Sequence, residues 1–159
     1  MSTERVEVTR RIAAPAAAIY ALVTDPAGHV AIDGSGMLEA APDARAVTAV
    51  GDTFDIEMDR TPLNDIPGMT KYTVRNTITQ LEPDRLIEWT IGMVDQPPFG
   101  YVYGWQLTPV DDQHTDVTNY CDWTNMIDGL RAAGRTWPIV PVSMLEDTLV
   151  KLDRLVTQS

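Results

Sequence analysis

The sequence predicts an α+β protein in which a curved antiparallel sheet of about six to seven strands wraps around a long C-terminal helix, with two short helices after the first strand. Three observations support this fold class. Apolar and polar residues alternate in a series of segments between residues 54 and 123, helix formers follow an N-terminal strand pattern, and apolar residues recur at helical spacing near the C-terminus. A sheet with one buried face and a helix packed on that face would produce these patterns.

The N-terminal segment predicts one strand and two short helices. Residues 6–12 alternate between apolar and polar side chains, as in a strand with one polar face. Residues 16–23 are rich in helix formers and follow a proline, which suits the first turn of a helix. A second short helical segment is predicted at residues 27–32, and Asp-Gly-Ser-Gly at residues 33–36 is a strong turn signal.

A meander of further strands is predicted in the middle of the chain. The alternating segments are residues 54–58, 72–79, 87–91, 101–108 and 117–123. Turn-forming residues at 82–84 and 111–114 favour hairpins between neighbouring strands. Residues 37–38 are interpreted as a short strand, and residues 40–50, which have little periodicity, as a loop or a sheet edge.

The C-terminal segment predicts one long amphipathic helix. Its start is placed near Pro138, with Ser143 as an alternative N-cap that has Glu146 three residues later. The apolar stripe consists of Leu145, Leu149, Leu152 and Val156. From Pro138 the helix would be about 28 Å long. Because a strongly curved sheet cannot contact a straight helix along its whole length, we expect a gap lined by apolar side chains.

Composition and charge exclude several classes of partner. The 159 residues suit one domain, and the formal net charge of −11 disfavours nucleic acid and anionic membrane surfaces. The single cysteine, Cys121, allows no intrachain disulfide, and the N-terminus does not resemble a signal peptide. We therefore expect a cytoplasmic monomer or homodimer that does not bind membranes.

The chain resembles a known superfamily over nearly its whole length. The opening of START-like (SRPBCC, helix-grip) proteins resembles residues 6–15 (VEVTRRIAAP) and 19–25 (IYALVTD). Their last strand is similar to residues 115–124 (TDVTNYCDWT), and their terminal helix is similar to residues 144–155 (MLEDTLVKLDRL). The resemblance is greatest to the bacterial polyketide cyclase/dehydrase-like branch. It implies one ligand-binding domain over residues 1–159, in a superfamily of enzymes, transporters and receptors.

Alternation places a set of aromatic and amide side chains on the inward faces of the predicted strands. With two residues of the terminal helix, they form the predicted ligand-binding set: Tyr72, Val74, Asn76, Trp89, Tyr101, Tyr103, Trp105, Asn119, Trp123, Met144 and Thr148. The alternative for the aromatic residues is an ordinary packed core. The two amides either orient a ligand carbonyl or hydroxyl, or bond to each other, to a tyrosine or to water. Glu88 is predicted to face outward into solvent.

Catalytic residues cannot be assigned from the sequence, although four candidates are available. They are His29, Asp33, Tyr72 and Tyr103. His29 and Asp33 could form an acid–base pair, and the alternative is a surface histidine. Ser35 lacks the setting of a catalytic serine, so the flanking glycines are interpreted as a tight bend.

No metal or cofactor site is predicted. The chain has two histidines and one cysteine, none of them in ligand spacing. Residues 66–69 and 95–100 are interpreted either as flaps over a pocket mouth or as simple turns.

Three functions remain open at this point. The favoured hypothesis is binding of a small hydrophobic molecule, such as a lipid, a polyketide or an aromatic compound, in an internal cavity. The alternative implied by the resemblance is a polyketide cyclase, aromatase or dehydrase that uses acid–base residues in the same cavity. The third is a non-catalytic partner protein that forms a homodimer through sheet edges or the helix surface.

Overall fold

A computed structural model describes residues 4–42 and 45–158 and shows one curved antiparallel sheet of seven strands. The strands are β1 (Arg5–Ile12), β2 (Leu38–Ala40), β3 (Thr53–Asp59), β4 (Lys71–Glu82), β5 (Leu86–Met93), β6 (Val102–Asp111) and β7 (His114–Asp122). The predicted α+β helix-grip architecture is confirmed. The period-two segments of the sequence correspond to β3 to β7, and the short strand predicted at residues 37–38 overlaps the start of β2.

The helices in the described part of the chain are α1 (Ala16–Val23), α2 (Pro26–Ile32), α3 (Asp128–Ala132) and α4 (Val142–Thr157). The Asp25 side chain caps α2 by accepting a hydrogen bond of 3.0 Å from the Ala27 N–H, so the helix begins at Pro26. The short α3 was not predicted. None of these helices has the length and apolar character needed to cross a bilayer.

The strand order is β1-β7-β6-β5-β4-β3-β2, so the first strand pairs with the last and the rest form a meander. The register shifts between Ile78 and Gln80 in β4 and between Pro109 and Asp111 in β6. Such irregularities bend a strand and increase its twist. They therefore help to curve the sheet around α4.

The terminal helix is shorter than the sequence predicted. It begins at Val142 rather than near Pro138, and at 16 residues it is about 24 Å long. A proline disfavours the helical conformation of the residue before it, so Val140 is kept out of the helix by Pro141, which takes the N-cap position. The alternative cap, Ser143, lies inside the helix, and no side chain caps its start.

One end of the interior is solidly packed. It lies between α1, the later turns of α4 and the inner face of the sheet. Side chains that are at most 1% exposed fill it: Ile12, Ile19, Val23, Ile78, Ile87, Val117 and Leu152. At the other end, side chains from the sheet, α2, α4 and the loops surround a cavity.

The outer face of the sheet contains a buried tyrosine that the sequence pattern did not indicate. Tyr120 is 2% exposed and lies over Gly104, where an added Cβ would come within 2.2 Å of the tyrosine ring. The Arg5 guanidinium lies 4.0 Å from the ring centroid on the same face. The ring is therefore held between a guanidinium and a strand position that has no side chain.

Glu88 faces outward as predicted, but it is half-buried and its carboxylate is hydrogen-bonded to other side chains. Its Oε1 accepts a hydrogen bond of 2.8 Å from the Tyr120 hydroxyl. Its Oε2 accepts bonds of 2.7 Å from Thr79 Oγ1 and 3.0 Å from Gln80 Nε2. Burial, together with this bond, raises the pKa of Tyr120. Glu88 of β5 is a structural acceptor that links β4 to β7, which lies on the far side of β6.

Candidate ligand-binding cavity

The cavity has a volume of about 320 Å³ and predominantly apolar walls. Ligand sites in proteins are commonly about 300–1,000 Å³, so this volume lies at the lower end of that range. The concave face of the sheet forms one wall. The other walls come from α2, the loops and the first turns of α4, where Leu145 and Thr148 face the cavity.

Most of the predicted ligand-binding residues line this cavity because alternation turns them toward the concave face. They are Tyr72, Val74 and Asn76 of β4, Trp89 of β5, Tyr101 next to β6, Tyr103 and Trp105 of β6, Asn119 of β7 and Thr148 of α4. Trp89 and Tyr103 stack with ring centroids 6.3 Å apart. That these residues contact a ligand remains a prediction.

Trp123 and Met144, which were also predicted to bind ligand, lie outside the cavity lining. Trp123 follows the end of β7 and stacks against Trp137 at 5.9 Å, in a cluster with Cys121 and Met126. Met144 is one turn before Thr148, and its neighbour Leu145 faces the cavity instead. Because β7 ends at Asp122, the alternation of the strand does not extend to Trp123.

Sequence reasoning missed much of the lining because it belongs to loops. The missed residues include Met37, Met58, Arg60, Ile66, Met69, Met93, Phe99, Leu130, Arg135, Trp137, Ile139 and Val140. Alternation along β3 would have placed Met58 on the concave face, but the loops have no periodicity to use. The methionines give the wall flexible, unbranched side chains that adapt to irregular shapes.

His29 is buried in the cavity wall, so its interpretation as a surface histidine is wrong. It is 7% exposed, and its ring contacts Phe54 at 5.3 Å and Trp89 at 4.8 Å between centroids. Nε2 lies 2.5 Å from the Val23 carbonyl oxygen, which can only accept, so Nε2 carries a proton. Burial lowers the pKa of His29, against smaller opposing effects of this bond and of Asp25. The imidazole is neutral at pH 7.

The proposed acid–base pair of His29 and Asp33 is not formed. Asp33 Oδ1 accepts hydrogen bonds of 2.9 Å from the Ser35 N–H and 2.6 Å from Ser35 Oγ, and Oδ2 accepts one of 3.1 Å from the Leu38 N–H. Among the described residues no hydrogen bond joins it to His29. Asp33 therefore organises its own loop, and the interpretation of Ser35 as part of a tight bend fits these contacts.

This loop packs directly on α4. The Gly34 N–H donates to Thr148 Oγ1 at 2.9 Å, and Lys151 Nζ donates to the Asp33 carbonyl oxygen at 2.7 Å. A Cβ on Gly34 would lie 2.5 Å from the Thr148 nitrogen, so only glycine permits this approach. The contact fixes the position of the loop that closes one side of the cavity.

Tyr101 and Tyr103 of the cavity wall are protonated at neutral pH. Burial is the main cause that raises the pKa of both Tyr101 and Tyr103. Tyr101 also packs edge-on against Tyr103, with centroids 6.1 Å apart. Neither phenol can act as a base, but both can offer polar tips to a ligand.

The two inward amides have different surroundings. Asn119 Nδ2 donates to the Gly104 carbonyl oxygen at 2.9 Å. Asn76 is 5% exposed and lines the cavity, and its buried Oδ1 has no hydrogen-bond partner among the described residues. A buried acceptor without a partner costs about 1–3 kcal/mol. The two amides do not satisfy each other.

A cluster of charged residues that was not predicted borders the cavity. Arg60 forms a two-pronged pair with Asp65, at 2.8 Å for both Nε–Oδ1 and Nη2–Oδ2, and its Nη1 donates to the Tyr72 hydroxyl at 3.3 Å. These bonds lower the pKa of Asp65, and the charge of Arg135 contributes further to lowering it. Arg60 and Arg135 both line the cavity.

The suggested flap segments border the cavity through Ile66, Met69 and Phe99. Whether these segments open and close remains a prediction. Within residues 4–42 and 45–158, no three histidine, cysteine, aspartate or glutamate side chains are grouped so that they could hold a metal ion.

A family model described as "Polyketide cyclase / dehydrase and lipid transport" matches residues 3–156. The chain belongs to this family. The resemblance to START-like helix-grip proteins is therefore confirmed, and the family description covers both chemistry and transport.

The chain is similar in sequence to a curated relative, the uncharacterized protein Rv0088 of Mycobacterium tuberculosis. It is 31% identical over 119 residues, which cover 75% of this chain and 47% of the relative. The chain thus spans about half the length of the curated relatives that it matches.

Solved structures share the fold at low sequence identity. Protein CV1439 from Chromobacterium violaceum has a TM-score of 0.69 and 15% identity, over 99% of this chain and 100% of that one. A truncated norcoclaurine synthase from Thalictrum flavum has a TM-score of 0.61 and 14% identity, over 98% and 94% of the two chains. At these identities the likeness extends to the fold alone.

Proposed function

We propose that this protein binds a small apolar molecule, such as a lipid, a polyketide or an aromatic compound, inside the cavity between the sheet and α4. The observation that carries the proposal is the cavity itself: about 320 Å³, apolar walls rich in aromatic side chains, and few polar groups. Removing apolar ligand surface from water contributes about 25 cal/mol per Å², and a few polar groups are enough to orient the ligand. Family membership supports the same function.

N-phenyl-1-naphthylamine, a neutral apolar dye that fluoresces in apolar surroundings, provides a direct test. We expect saturable fluorescence with the wild-type protein. Val74→Phe should weaken binding at least about tenfold, because it places a ring in the cavity. The same substitution at Val110, which is 45% exposed, is the matched control and should leave the affinity unchanged. Equal binding by all three proteins would place the dye elsewhere and contradict the proposal.

An enzyme of the cyclase or dehydrase kind is the second candidate. One observation favours it: the imidazole of His29, held neutral by burial, lines the cavity and could take a proton from a carbon next to a carbonyl group. A synthetic tetraketide incubated with wild-type protein and with His29→Gln tests this role by mass spectrometry of the products. Cyclisation that is no faster than in buffer, or equally fast in the variant, would exclude it.

The cellular location, the domain extent and the assembly state of the protein are also proposals. The protein would act in the cytoplasm as one ligand-binding domain over residues 1–159, as a monomer or homodimer and without nucleic acid. The net charge of −11 and the single cysteine support this setting. Light scattering after size-exclusion chromatography would measure the assembly state.

A further inference from the structure

The ionisable groups of the cavity wall are not equivalent. Both carboxylate oxygens of Asp33 accept hydrogen bonds within its own loop, and His29 is neutral. Arg60 is only 12% exposed along its side chain and is neutralised by its two-pronged pair with Asp65. Apart from the tyrosines, one ionisable residue of the lining is then left, and it is Arg135.

Arg135 is a half-buried cation without a partner in the part of the chain that the structure describes. Within residues 4–42 and 45–158 it makes no hydrogen bond and no ion pair. Its charge nevertheless lies near enough to Asp65 to help lower the pKa of that carboxyl, after the larger effect of Arg60. The three residues together carry one positive charge in a protein whose net charge is −11. A guanidinium is suited to bind a carboxylate through two parallel hydrogen bonds.

A second donor lies at the same end of the cavity. The Tyr72 oxygen accepts a hydrogen bond of 3.3 Å from Arg60 Nη1, so its own proton remains available to an acceptor in the cavity. Tyr101 and Trp137, which pack edge-on at 4.9 Å, add an aromatic wall beside it. This end of the cavity therefore offers a positive charge, a hydroxyl donor and aromatic surface.

Asn76 gives the cavity a polar feature that is independent of this cluster. It is 5% exposed and lines the cavity, and no described residue forms a hydrogen bond with its Oδ1. Rotation about χ2 exchanges the two ends of a carboxamide, so either end can be presented to a ligand. A hydroxyl both donates and accepts, and it can therefore bond to this amide in either orientation.

We propose that the ligand is an apolar carboxylic acid with a hydroxyl group on its body. Arg135 binds the carboxylate together with the Tyr72 hydroxyl, the body lies along the aromatic wall, and Asn76 bonds to the ligand's hydroxyl group. This inference rests on the proposed binding function and specifies the class of its ligand.

Three matched compounds test it by isothermal titration calorimetry at about pH 7.5 and about 150 mM salt, where a carboxylic acid is ionised and distant charges are screened. Methyl 2-naphthoate measures the apolar cavity alone. 2-Naphthoic acid adds the negative charge, and 6-hydroxy-2-naphthoic acid adds the hydroxyl group. We expect wild-type protein to bind the acid about tenfold more tightly than the ester and the hydroxy acid about fivefold more tightly than the acid.

Three variants assign these increments to residues. Arg135→Gln should abolish the preference for acid over ester. Arg85→Gln makes the same change of charge at an exposed position outside the cavity, so it should keep the full preference. Asn76→Leu should remove the gain from the hydroxyl group alone. Circular dichroism spectra that match the wild type show in each case that the variant is folded.

The outcomes separate this inference from the proposed function. If wild-type protein binds the ester but gains nothing from the charge, or if Arg135→Gln keeps the preference, the acidic ligand is refuted and apolar binding stands. If the hydroxyl increment is absent or survives Asn76→Leu, the role of Asn76 is refuted. If the ester and N-phenyl-1-naphthylamine both fail to bind, the proposed function falls with the inference.

Discussion

The side chain of Asn76 lowers the free energy of unfolding of the protein, because one of its buried polar atoms has no hydrogen-bond partner among the described residues. Its carboxamide is buried in an apolar wall, and its Oδ1 has no partner among the described residues. Asn119, on the same concave face, has its amide bonded to the Gly104 carbonyl oxygen at 2.9 Å. Unmet polar groups of this kind persist in native proteins where function requires them. The contrast between the two amides can be measured.

Asn76→Leu should raise the free energy of unfolding of the ligand-free protein by about 1 kcal/mol, because it replaces an unsatisfied polar group with an apolar one of similar size. Asn119→Leu should lower it by about 1–2 kcal/mol, because it breaks the bond to Gly104. Urea denaturation followed by circular dichroism measures both values. Equal destabilisation by the two substitutions would show that Asn76 has a protein partner.

His29 should make stability depend on pH. Burial lowers its pKa in the folded state, whereas in the unfolded chain a histidine titrates near about 6.5. Below that pH the unfolded state therefore binds more protons, and the free energy of unfolding falls by up to about 1.4 kcal/mol per pH unit. This stability is fully present above the unfolded pKa and is lost as the pH decreases through it.

Urea denaturation between about pH 5 and pH 8 measures this slope for the wild-type protein and for His29→Gln, which should lose it. His114→Gln is the matched control, since that side chain is 46% exposed at the β6–β7 turn, and it should keep the slope. A slope that survives His29→Gln and disappears in His114→Gln would contradict the burial of His29.

Sequence reasoning reached some of these residues and not others. Alternation along a long strand was enough to place Asn76 and Asn119 on the concave face. The burial of His29 depends on Phe54 and Trp89, which are distant in sequence, so no local pattern indicates it. Arg135 follows the short helix α3 outside the sheet, where neither the two-residue period of a strand nor the helical period of about 3.6 residues indicates which side chains are buried.

The pairing of β6 with β7 depends on a position without a side chain. Gly104 and Tyr120 are directly opposite in the register, and the tyrosine ring occupies the space above the glycine. The ring is fixed there by the bond of its hydroxyl group to Glu88 and by the Arg5 guanidinium. Glycine usually weakens a strand, and here it allows close contact across the sheet.

Gly104→Ala should therefore destabilise the protein by about 3 kcal/mol, because the new methyl group would come within 2.2 Å of a ring that is held on several sides. Gly129→Ala is the control. It lies in α3 with open space around the added Cβ, so it should be neutral or stabilise by about 0.5–1 kcal/mol. Thermal denaturation of both variants measures the difference. A mild effect at Gly104 would mean that Tyr120 can leave its position.

Among the secondary-structure elements, the strands could be predicted from the sequence, whereas the start of the terminal helix could not. Alternation marks a strand wherever one face is buried, and β3 to β7 all have that property. The start of α4 was placed too early, near Pro138, because Pro141 disfavours the helical conformation of the residue before it. The loops that complete the cavity could not be predicted, because their lining residues follow neither the helical nor the strand period.

The whole molecule has an interior divided into a solid part and a hollow part. Leu149 and Leu152 of α4 pack into the solid part, whereas Leu145 and Thr148 line the cavity. Close-packed interiors leave few voids larger than a water molecule. A void of about 320 Å³ in a chain of 159 residues is therefore a feature that the loops and helix hold open rather than a packing defect.

This division predicts opposite responses to one substitution at two valines of similar burial. Val117 is 0% exposed in the solid part, where it is opposite Leu107, and Val74 is 7% exposed and lines the cavity. Val117→Phe should lower the free energy of unfolding by about 1–3 kcal/mol, since a close-packed core cannot take the extra volume without strain. Val74→Phe should leave it unchanged or higher, since the ring extends into empty space and buries apolar surface.

Urea denaturation of the two variants and the wild type gives the free energies, and an unchanged m-value would show that the same surface is exposed on unfolding in all three. The dye titration described above is the second measurement, because Val74→Phe should combine full stability with weak binding. Val117→Phe, where it folds, should retain binding. Equal loss of stability at the two positions would mean that the inner face of the sheet is closed on α4 along its whole length, and both the cavity and the function proposed for it would then have to be abandoned.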